Sequence, residues 1–574
     1  MAVSVPGVMV ELDVPVPMRD GTILRADVYR PEEPGTYPVL LIRIPYDKTQ
    51  SENVIYAHPS WYARNGYIVV CQDTRGRDQS EGEFYPFEYE QQDGYDTVQW
   101  CGALEGSSGK VGMFGASYGG ATQLLAAVEA PSALGALIPA VTASQYYEGW
   151  TYNQGAFALG FALSWALSLG INVAQRRGDD AAAAAFAAGF AASLALDWSL
   201  PLDGIPALSN QDTPFFDDWI AHPTYDDYWK RWSIDEDYSR IQVPALHVAG
   251  WYDIFLSGSV KNYVGLRAAA GNDHARSNQR LLIGPWYHIP WRVLGGAEVD
   301  DASPHAFDEW QIDWFDRHLK ADPVAETDAQ VRLYILREGV WRDFDNWPPA
   351  DTTPTPFYLH SDGRANSLYG DGSLDTSAPA GELPDVYTYD PVGPHPGHGG
   401  HSCCFEHVAP MGPADQFTRE VNNGVLVYTT APLERPMWLI GDVSATIFAS
   451  TTAVDTDYAV RLCVVDADGV STNLQEGIVR ARYRDSLESP TLLDPGTIYR
   501  YEIPIGPIGV KLDAGERIRV QVTSNDFPQW DRNLNTGNSP GGEGLASAIV
   551  ATQAIYHDAE HPSSITLPVW NGVE

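Results

Sequence analysis

Short apolar runs alternate with segments of helical periodicity in the first part of the chain. The apolar runs lie at residues 39–42, 67–71 and 111–114. Each is hydrophobic throughout, as expected of a strand covered on both faces, and helical segments near 61–64 and 91–100 separate them. This alternation predicts a parallel β-sheet with helices on its faces. A β-hairpin over residues 8–28, turning at Asp20 and Gly21, precedes it.

The pattern becomes helical and rich in alanine between residues 144 and 237. Asp179 and Asp180 are suited to begin a helix over residues 181–196. Apolar runs return at residues 245–249 and 280–283, so the helical block is predicted to be an insertion into the α/β unit.

Beyond residue 347 the pattern is that of an all-β protein. Residues 517–523 alternate, with Ile518, Val520 and Val522 on one face. Similar strand patterns occur at residues 425–428, 445–448 and 458–465. A β-sandwich or jelly roll is therefore predicted for the last part of the chain.

The composition narrows the classes of partner. The 574 residues include 36 basic and 75 acidic side chains, a formal net charge of −39, which disfavours nucleic acid and anionic membranes as partners. Residues 155–174 have the length of a membrane span without a charge, but their Ala, Gly, Ser and Asn content favours a buried helix. No signal-peptide pattern is visible at the N-terminus, so a cytoplasmic location is expected.

The five cysteines predict no metal site. Their spacing contains no CxxC pair and no Cys/His cluster typical of zinc. They are Cys71, Cys101, Cys403, Cys404 and Cys463.

One segment carries a specific chemical signal. Gly115, Ser117 and Gly119 form a G-x-S-x-G motif between a predicted buried strand and a predicted helix, the setting of a nucleophile elbow. The small residues prevent collisions in a strained turn, and the following helix N-terminus supplies N–H groups where an oxyanion forms. Ser117 is therefore the candidate nucleophile.

A serine nucleophile needs a base and an orienting carboxylate. In this class they follow the serine along the chain as acid and then histidine. Asp253 comes just after the predicted strand at 245–249, and His288 just after the one at 280–283. Because open α/β sheets build their sites at the carboxyl ends of strands, these two residues are the candidate acid and base.

Several blocks of sequence resemble the cocaine esterase-like branch of the X-Pro dipeptidyl-peptidase superfamily, and they are spread over residues 8–565. They are RIPYDK at 43–48, QDTRG at 72–76, SEG at 80–82, the elbow, GWYD at 250–253, GPWYH at 284–288, WFDRHL at 314–319, GPADQ at 412–416, DTD at 455–457, GIVR at 477–480 and NLNTG at 533–537. The resemblance implies an α/β-hydrolase domain (1–144 and 241–346), an inserted helical cap (145–240) and a C-terminal jelly-roll domain (347–574).

The resemblance also implies roles for individual residues. It gives the triad as Ser117, Asp253 and His288, and the oxyanion hole as the Tyr46 hydroxyl with the backbone N–H of Tyr118. It places aromatic side chains in the substrate pocket, at Trp150, Trp165 and Phe255. The stretch 400–405, with Cys403 and Cys404, is expected to reach the cleft as a contact and to provide no nucleophile.

The expected function is hydrolysis of small-molecule carboxylic esters with an apolar acyl group, aromatic ones included, without metal or cofactor. Two alternatives stay open: an α-amino-acid ester hydrolase or acylase, or an X-Pro dipeptidyl peptidase. Both must bind an ammonium group, whereas Ile254, Phe255 and Leu256 directly after Asp253 are apolar. A remote third is an inactive scaffold with a carbohydrate-binding jelly roll. A homodimer is also left open.

Overall fold

The computed structural model describes residues 2–50, 56–288, 304–320, 329–404 and 411–572. Its first sheet and a small ribbon contain the strands β1 (Ala2–Val5), β2 (Val8–Pro17), β3 (Ile23–Pro31), β4 (Tyr37–Ile44), β5 (Ile68–Asp73), β6 (Ser107–Ala116), β7 (Leu134–Ala140), β8 (Tyr152–Asn153), β9 (Ala156–Phe157), β10 (Leu246–Tyr252), β11 (Arg280–Tyr287), β12 (Val331–Ile335) and β13 (Val340–Phe344). Only β8 and β9 stand apart among these strands, as a two-stranded ribbon.

The first sheet has a parallel centre with antiparallel edges. Its strand order is β1-β2-β3-β5-β4-β6-β7-β10-β11-β12-β13. The pairs from β5 through β12 are parallel, while β1 to β3 and β13 are antiparallel to their neighbours. The predicted parallel sheet and the predicted hairpin, formed by β2 and β3, are both confirmed.

Helices cover this sheet and form the insertion. They are α1 (Pro59–Arg64), α2 (Glu90–Gly102), α3 (Tyr118–Val128), α4 (Leu159–Arg176), α5 (Asp180–Ala191), α6 (Ser193–Leu196), α7 (Pro214–Ala221), α8 (Asp227–Lys230), α9 (Leu256–Ala269), α10 (Asp273–Ser277), α11 (Pro304–Leu319) and, in the β part, α12 (Phe417–Glu420). Helices α4 to α8 lie between β7 and β10, which confirms the predicted helical insertion.

The helix predicted over residues 181–196 is divided in two. Asp179 caps α5 as expected, because its carboxylate accepts the N–H of Ala182 at 2.9 Å. The break falls at Ala192, with φ −103° and ψ 15°. Beside it the Ser193 hydroxyl donates to the carbonyl of Phe190 at 2.6 Å, a local bond that competes with helix continuation.

The C-terminal part is all-β. Its strands are β14 (Thr352–His360), β15 (Ser373–Asp375), β16 (Asp385–Tyr389), β17 (Leu426–Thr429), β18 (Met437–Thr451), β19 (Asp457–Val465), β20 (Ser471–Arg480), β21 (Tyr499–Leu512), β22 (Arg517–Thr523), β23 (Ala551–Tyr556) and β24 (Ser564–Trp570). They form one folded sheet around a single apolar core. Both faces of β22 are buried. On its polar face, Arg519 and Gln521 donate hydrogen bonds to the carboxylate of Glu420. The proposed domain limits at 144, 240 and 346 remain predictions, although β13 and β14 lie on either side of 346.

Candidate active site

Ser117 lies in a sharp turn between β6 and α3. Its backbone has φ 60° and ψ −123°, which L-residues rarely adopt, and its N–H is held by the carbonyl of Ala140 on β7 at 2.9 Å. A Cβ on Gly115, whose φ is +143°, would lie 3.0 Å from the carbonyl oxygen of Gly119. The sequence folds into this elbow because glycine at position 115 allows strand and helix to approach so closely.

The structure brings Ser117, His288 and Asp253 into one hydrogen-bonded chain. The Oγ of Ser117 lies 2.9 Å from Nε2 of His288, and Nδ1 of His288 lies 2.8 Å from Oδ1 of Asp253. Asp253 follows β10 and His288 follows β11, and these strands are parallel neighbours, so their carboxyl ends meet at one edge. Both side chains are buried, which makes their mutual hydrogen bond strong.

Asp253 also lines a polar cavity. Oδ2 of Asp253 has no hydrogen-bond partner among the described residues. Asp253 lines a cavity of about 140 Å³, together with Ser144, Lys261, His401 and Glu476. A polar cavity of this size can hold water molecules beside Asp253.

Tyr46 places its hydroxyl beside the nucleophile. The hydroxyl accepts the indole N–H of Trp165 at 3.1 Å and lies within hydrogen-bonding reach of the Ser117 side chain. Although 39% of the residue is exposed, the hydroxyl is surrounded by protein atoms, and this desolvation raises the pKa of Tyr46. The phenol is therefore neutral and can donate to an oxyanion. Tyr118 begins α3, so its backbone N–H lacks a partner within the helix and can serve as a second donor.

Arg77 supports the Tyr46 loop, and sequence reasoning missed it. Its Nε donates to the carbonyl of Pro45 at 2.7 Å, and a terminal nitrogen donates to the carbonyl of Leu169 in α4 at 2.9 Å. Burial lowers the pKa of Arg77 to about 10, so the guanidinium remains charged at neutral pH. Arg77 directly follows the QDTRG block at 72–76, which was the only sequence signal near it.

The three predicted pocket aromatics lie together around His288 and Tyr46, and all are buried. Phe255 meets the imidazole of His288 edge to face at 5.2 Å, and Trp150 stacks on Phe255 at 4.2 Å. Trp165 packs against Trp150 at 5.4 Å while its N–H reaches Tyr46. They border the triad, and their function as substrate contacts remains a prediction.

Comparisons with known proteins agree with this geometry. The family model described as X-Pro dipeptidyl-peptidase (S15 family) matches residues 20–290, and that of the X-Pro dipeptidyl-peptidase C-terminal non-catalytic domain matches residues 323–566. The chain is 38% identical to cocaine esterase of Rhodococcus sp. (strain MB1 Bresler) over 582 residues, covering 97% of this chain and 98% of that protein. The chain belongs to the cocaine esterase-like branch of the X-Pro dipeptidyl-peptidase superfamily.

Solved structures place this family member among enzymes with the same overall fold. An aminopeptidase from the marine sediment archaeon Thaumarchaeota archaeon superposes with a TM-score of 0.83 at 26% identity, covering 98% of this chain and 97% of that one. An α-amino acid ester hydrolase superposes with a TM-score of 0.79 at 24% identity, covering 99% and 98%. The expected α/β-hydrolase fold with a C-terminal all-β domain is thereby confirmed.

In this member of the family the C-terminal part reaches the triad through two cysteines. The sulfur atoms of Cys403 and Cys404 and a ring nitrogen of His288 all lie within 4.8 Å of one another. The stretch from residue 400 thus approaches His288, and its role as a substrate contact remains a prediction; Phe405 lies outside the described residues. The spacing of the cysteines along the sequence could not indicate this cluster, because its third member, His288, lies 115 residues before Cys403.

The apolar segment at 155–174 forms most of α4. The helix is buried along much of its length and carries Trp165. None of the helices in the described ranges combines the length and hydrophobicity that a membrane crossing requires.

Proposed function

We propose that the protein is a serine hydrolase that cleaves carboxylic esters through an acyl-enzyme. The observation that carries the proposal is the continuous chain from Ser117 Oγ to His288 Nε2 at 2.9 Å and from His288 Nδ1 to Asp253 at 2.8 Å. In this arrangement His288 removes the proton as Ser117 attacks the ester carbonyl, while Asp253 fixes the imidazole tautomer and stabilises its charge.

The remaining steps use the same groups. The negative charge that develops on the carbonyl oxygen is stabilised by the neutral Tyr46 hydroxyl and by the N–H of Tyr118. His288 then gives its proton to the departing alkoxide, leaving the acyl group on Ser117. A water molecule, deprotonated by His288, attacks the acyl-enzyme and releases the acid.

An uncharged acyl group suits the surroundings of the triad. Phe255 and Trp150 present apolar surface next to His288, and the residues that follow Asp253 offer no carboxylate for an ammonium group. These features favour an apolar or aromatic acyl group over an α-amino acid. The cocaine esterase similarity supports esters as the bond class, while the 26% identical aminopeptidase makes amides the bond class to test beside them.

Turnover of a matched panel tests the proposal. The panel contains p-nitrophenyl acetate, butyrate and benzoate, an α-amino-acid ester and an X-Pro anilide. The Ser117→Ala variant should lose roughly 10⁴–10⁶ in kcat with the fold intact, whereas Ser132→Ala, an exposed serine, should behave as wild type. Preference for the amino ester or the anilide would contradict the substrate class, and inactivity toward all five compounds would contradict the function.

Two finer statements belong to the same proposal. The first is that the protein acts in the cytoplasm on a small-molecule ester. The second concerns its oligomeric state, for which a monomer and a homodimer are the two alternatives. Light scattering of the purified protein measures the oligomeric state directly.

A further inference from the structure

Two adjacent cysteines from the C-terminal part lie at the catalytic histidine. Cys403 is fully buried, Cys404 is partly buried, and their sulfur atoms are paired with each other as a vicinal disulfide. The three other cysteines of the chain, Cys71, Cys101 and Cys463, are buried elsewhere in the fold. The two sulfur atoms of this pair lie within 4.8 Å of a ring nitrogen of His288.

These three side chains form a ligand set suited to a soft cation. Two thiolates and one imidazole are the ligands that Zn²⁺ and similar thiophilic cations prefer, and three protein ligands leave a fourth position open. His288 also has the partner that a metal-bound histidine usually has. Its Nδ1 is held by Asp253 at 2.8 Å, as in a carboxylate–histidine–metal arrangement, which leaves Nε2 as the nitrogen that can bind a cation.

We propose that Cys403, Cys404 and His288 form a site for a thiophilic divalent cation, such as Zn²⁺ or Cd²⁺, when the cysteine pair is reduced. Two molecules of a small thiol first reduce the disulfide, which gives two cysteine thiols and the disulfide of the small thiol. The cation then displaces the two thiol protons, which pass to the solvent, and binds both sulfur atoms and Nε2.

Occupation of this site stops ester cleavage. Nε2 is the atom that must accept the Ser117 proton, and it cannot do so while its lone pair is bound to a cation. The inhibition rests on the proposed function, whereas the binding does not. Through this site, the activity of the hydrolase depends on the concentration of the cation and on whether the two cysteines are reduced.

Binding is measured on the Ser117→Ala protein, which keeps all three ligands. After reduction with a phosphine and equilibrium dialysis against Cd²⁺, we expect one Cd²⁺ per chain and a sulfur-to-cadmium charge-transfer band in the ultraviolet. Adding Cys403→Ser and Cys404→Ser should abolish both signals, and the unreduced protein should bind none. Adding Cys101→Ala, a buried cysteine on α2, should change neither.

A further variant separates the complete site from a simple dithiol. Asp253→Asn in the same background should weaken Cd²⁺ binding by about 10- to 100-fold, because the carboxylate orients His288 as a ligand. An unchanged affinity would show that the thiols bind alone and would overturn the proposed ligand set. Thermal unfolding of each variant checks that the fold is retained.

Inhibition is measured on the reduced wild-type protein. Turnover of p-nitrophenyl butyrate should fall with added Cd²⁺ and return with a chelator, while the residual turnover of the double serine variant should resist the cation. Failure of Cd²⁺ to bind the reduced Ser117→Ala protein would overturn the site whatever the esterase activity. Binding to a protein inert toward esters would leave the site standing and refute the proposed function instead.

Discussion

At the scale of single residues, the Tyr46 hydroxyl is oriented by a neighbour that can only donate. An indole N–H has no acceptor atom, so Trp165 must give its hydrogen to the Tyr46 oxygen, at 3.1 Å. This bond occupies a lone pair of the phenol and leaves its proton free for the carbonyl oxygen of a substrate. We therefore expect Trp165 to act as a positioning residue, a role different from the pocket contact that the family resemblance implies.

The Tyr46 and Trp165 pair gives a prediction in the form of a double-mutant cycle. Tyr46→Phe should lower kcat by roughly 10²–10³, the cost of one lost oxyanion donor. Trp165→Phe keeps an aromatic ring but removes the N–H, and we expect a loss on the order of 10-fold, because the value of one hydrogen bond is about 1 kcal/mol. The measurement is kcat for p-nitrophenyl butyrate in all four proteins.

The cycle separates orientation from packing. If Trp165 acts through Tyr46, its substitution should cost nothing further in the Tyr46→Phe background. Equal losses in both backgrounds would mean that Trp165 only fills space. Trp198→Phe, a substitution of an indole that is 51% exposed, controls for the loss of any tryptophan.

The sequence predicted the hydrogen-bonded residues of the triad but not their supports. Ser117, Asp253 and His288 each follow a recognisable strand pattern in the expected chain order, so position alone selected them. Trp165 and Arg77 act through the direction of an N–H group across a contact between distant segments. No periodicity or motif encodes such a direction, which is why these two roles emerged only from the structure.

At the scale of elements, the close contact of α3 with β7 predicts unequal effects of two adjacent glycines. A Cβ on Gly120 would lie 2.8 Å from Cβ of Thr142 and 3.0 Å from the carbonyl oxygen of Ala140, neither of which can move freely. A Cβ on Gly119 would lie 3.2 Å from the Cγ2 methyl of Ile44, and the next neighbour, the carbonyl oxygen of Arg43, would be 3.6 Å away. Gly120→Ala should therefore destabilise the protein by roughly 1–3 kcal/mol and reduce kcat, because the elbow must shift.

Gly119→Ala is the matched comparison. Alanine favours the helix by about 1 kcal/mol over glycine, which offsets the small adjustment of Ile44. We expect an unfolding free energy within about 1 kcal/mol of wild type. Urea denaturation of both variants measures the difference, and a Gly119→Ala variant less stable than Gly120→Ala would contradict this account of the packing.

The cap contains a carboxyl group that makes its stability depend on pH. Asp197, just after α6, is 1% exposed, and neither of its oxygens has a hydrogen-bond partner among the described residues. Burial raises the pKa of Asp197 from 3.8 to about 7. Between these two values the folded protein holds a proton that the unfolded chain has released, so the contribution of Asp197 to stability decreases as the pH rises toward 7.

Asp197→Asn should remove this dependence. The stability of the variant relative to wild type should increase by about 2–3 kcal/mol between pH 5 and pH 8, since an amide does not ionise. Urea denaturation at the two pH values measures the difference. Asp203→Asn, an exposed aspartate of the same cap, should show no such change, and parallel behaviour of the two variants would refute a buried carboxyl at Asp197.

The accuracy of the predicted elements depended on how strongly burial shaped each one. Strands β4, β5 and β6 are covered on both faces over much of their length, so continuous apolar runs marked them within a few residues. The alanine-rich helix at 181–196 is different, because most of α5 is exposed and alanine gives no amphipathic signal. Its break at Ala192 lies beside the hydrogen bond from the Ser193 hydroxyl to the carbonyl of Phe190, which propensity alone does not reveal.

At the scale of the whole molecule, the β part holds the strand end that carries Asp253. The His401 ring bonds through Nε2 to the carbonyl of Trp251 at 2.7 Å, and the Tyr252 hydroxyl donates to the carbonyl of Asn473 at 3.0 Å. A Cβ on Gly509 of β21 would lie 2.3 Å from the Trp251 ring, so only glycine allows this close packing. The end of β10 is thus fixed by groups outside its own sheet.

This dependence was only partly foreseeable from the sequence. The stretch from residue 400 was expected to reach the cleft by resemblance to the family, and Cys403 does so. The support of Trp251 by His401 joins residues 150 positions apart, one in β10 and the other in a loop of the C-terminal part. Contacts of this kind are set by how the two parts pack together, and patterns within either part do not specify that packing.

The contact of His401 with the carbonyl of Trp251 depends on the negative charge of Glu476 in β20. Its carboxylate accepts the backbone N–H of His401 at 2.5 Å and lies 3.1 Å from Nδ1 of the same ring. Burial opposes the ionisation of Glu476, but the nearby charges of His401 and Arg461 and the hydrogen bonds from His401 lower its pKa to about 2. A fixed negative charge at neutral pH therefore orients the His401 ring toward the carbonyl of Trp251.

Glu476→Gln should weaken catalysis through this chain of contacts. The neutral amide holds the His401 ring less firmly, so the end of β10 and Asp253 gain freedom, and we expect kcat to fall by about 10-fold, the equivalent of roughly 1.4 kcal/mol. KM should change little, because Glu476 acts through His401 and the end of β10 and not on the ester itself. Glu502→Gln, an exposed glutamate of β21 in the same part, should leave both constants unchanged. A rise in KM at constant kcat would instead place Glu476 in direct contact with the substrate, and unchanged kinetics would mean that the β part supports the strand without the help of this charge.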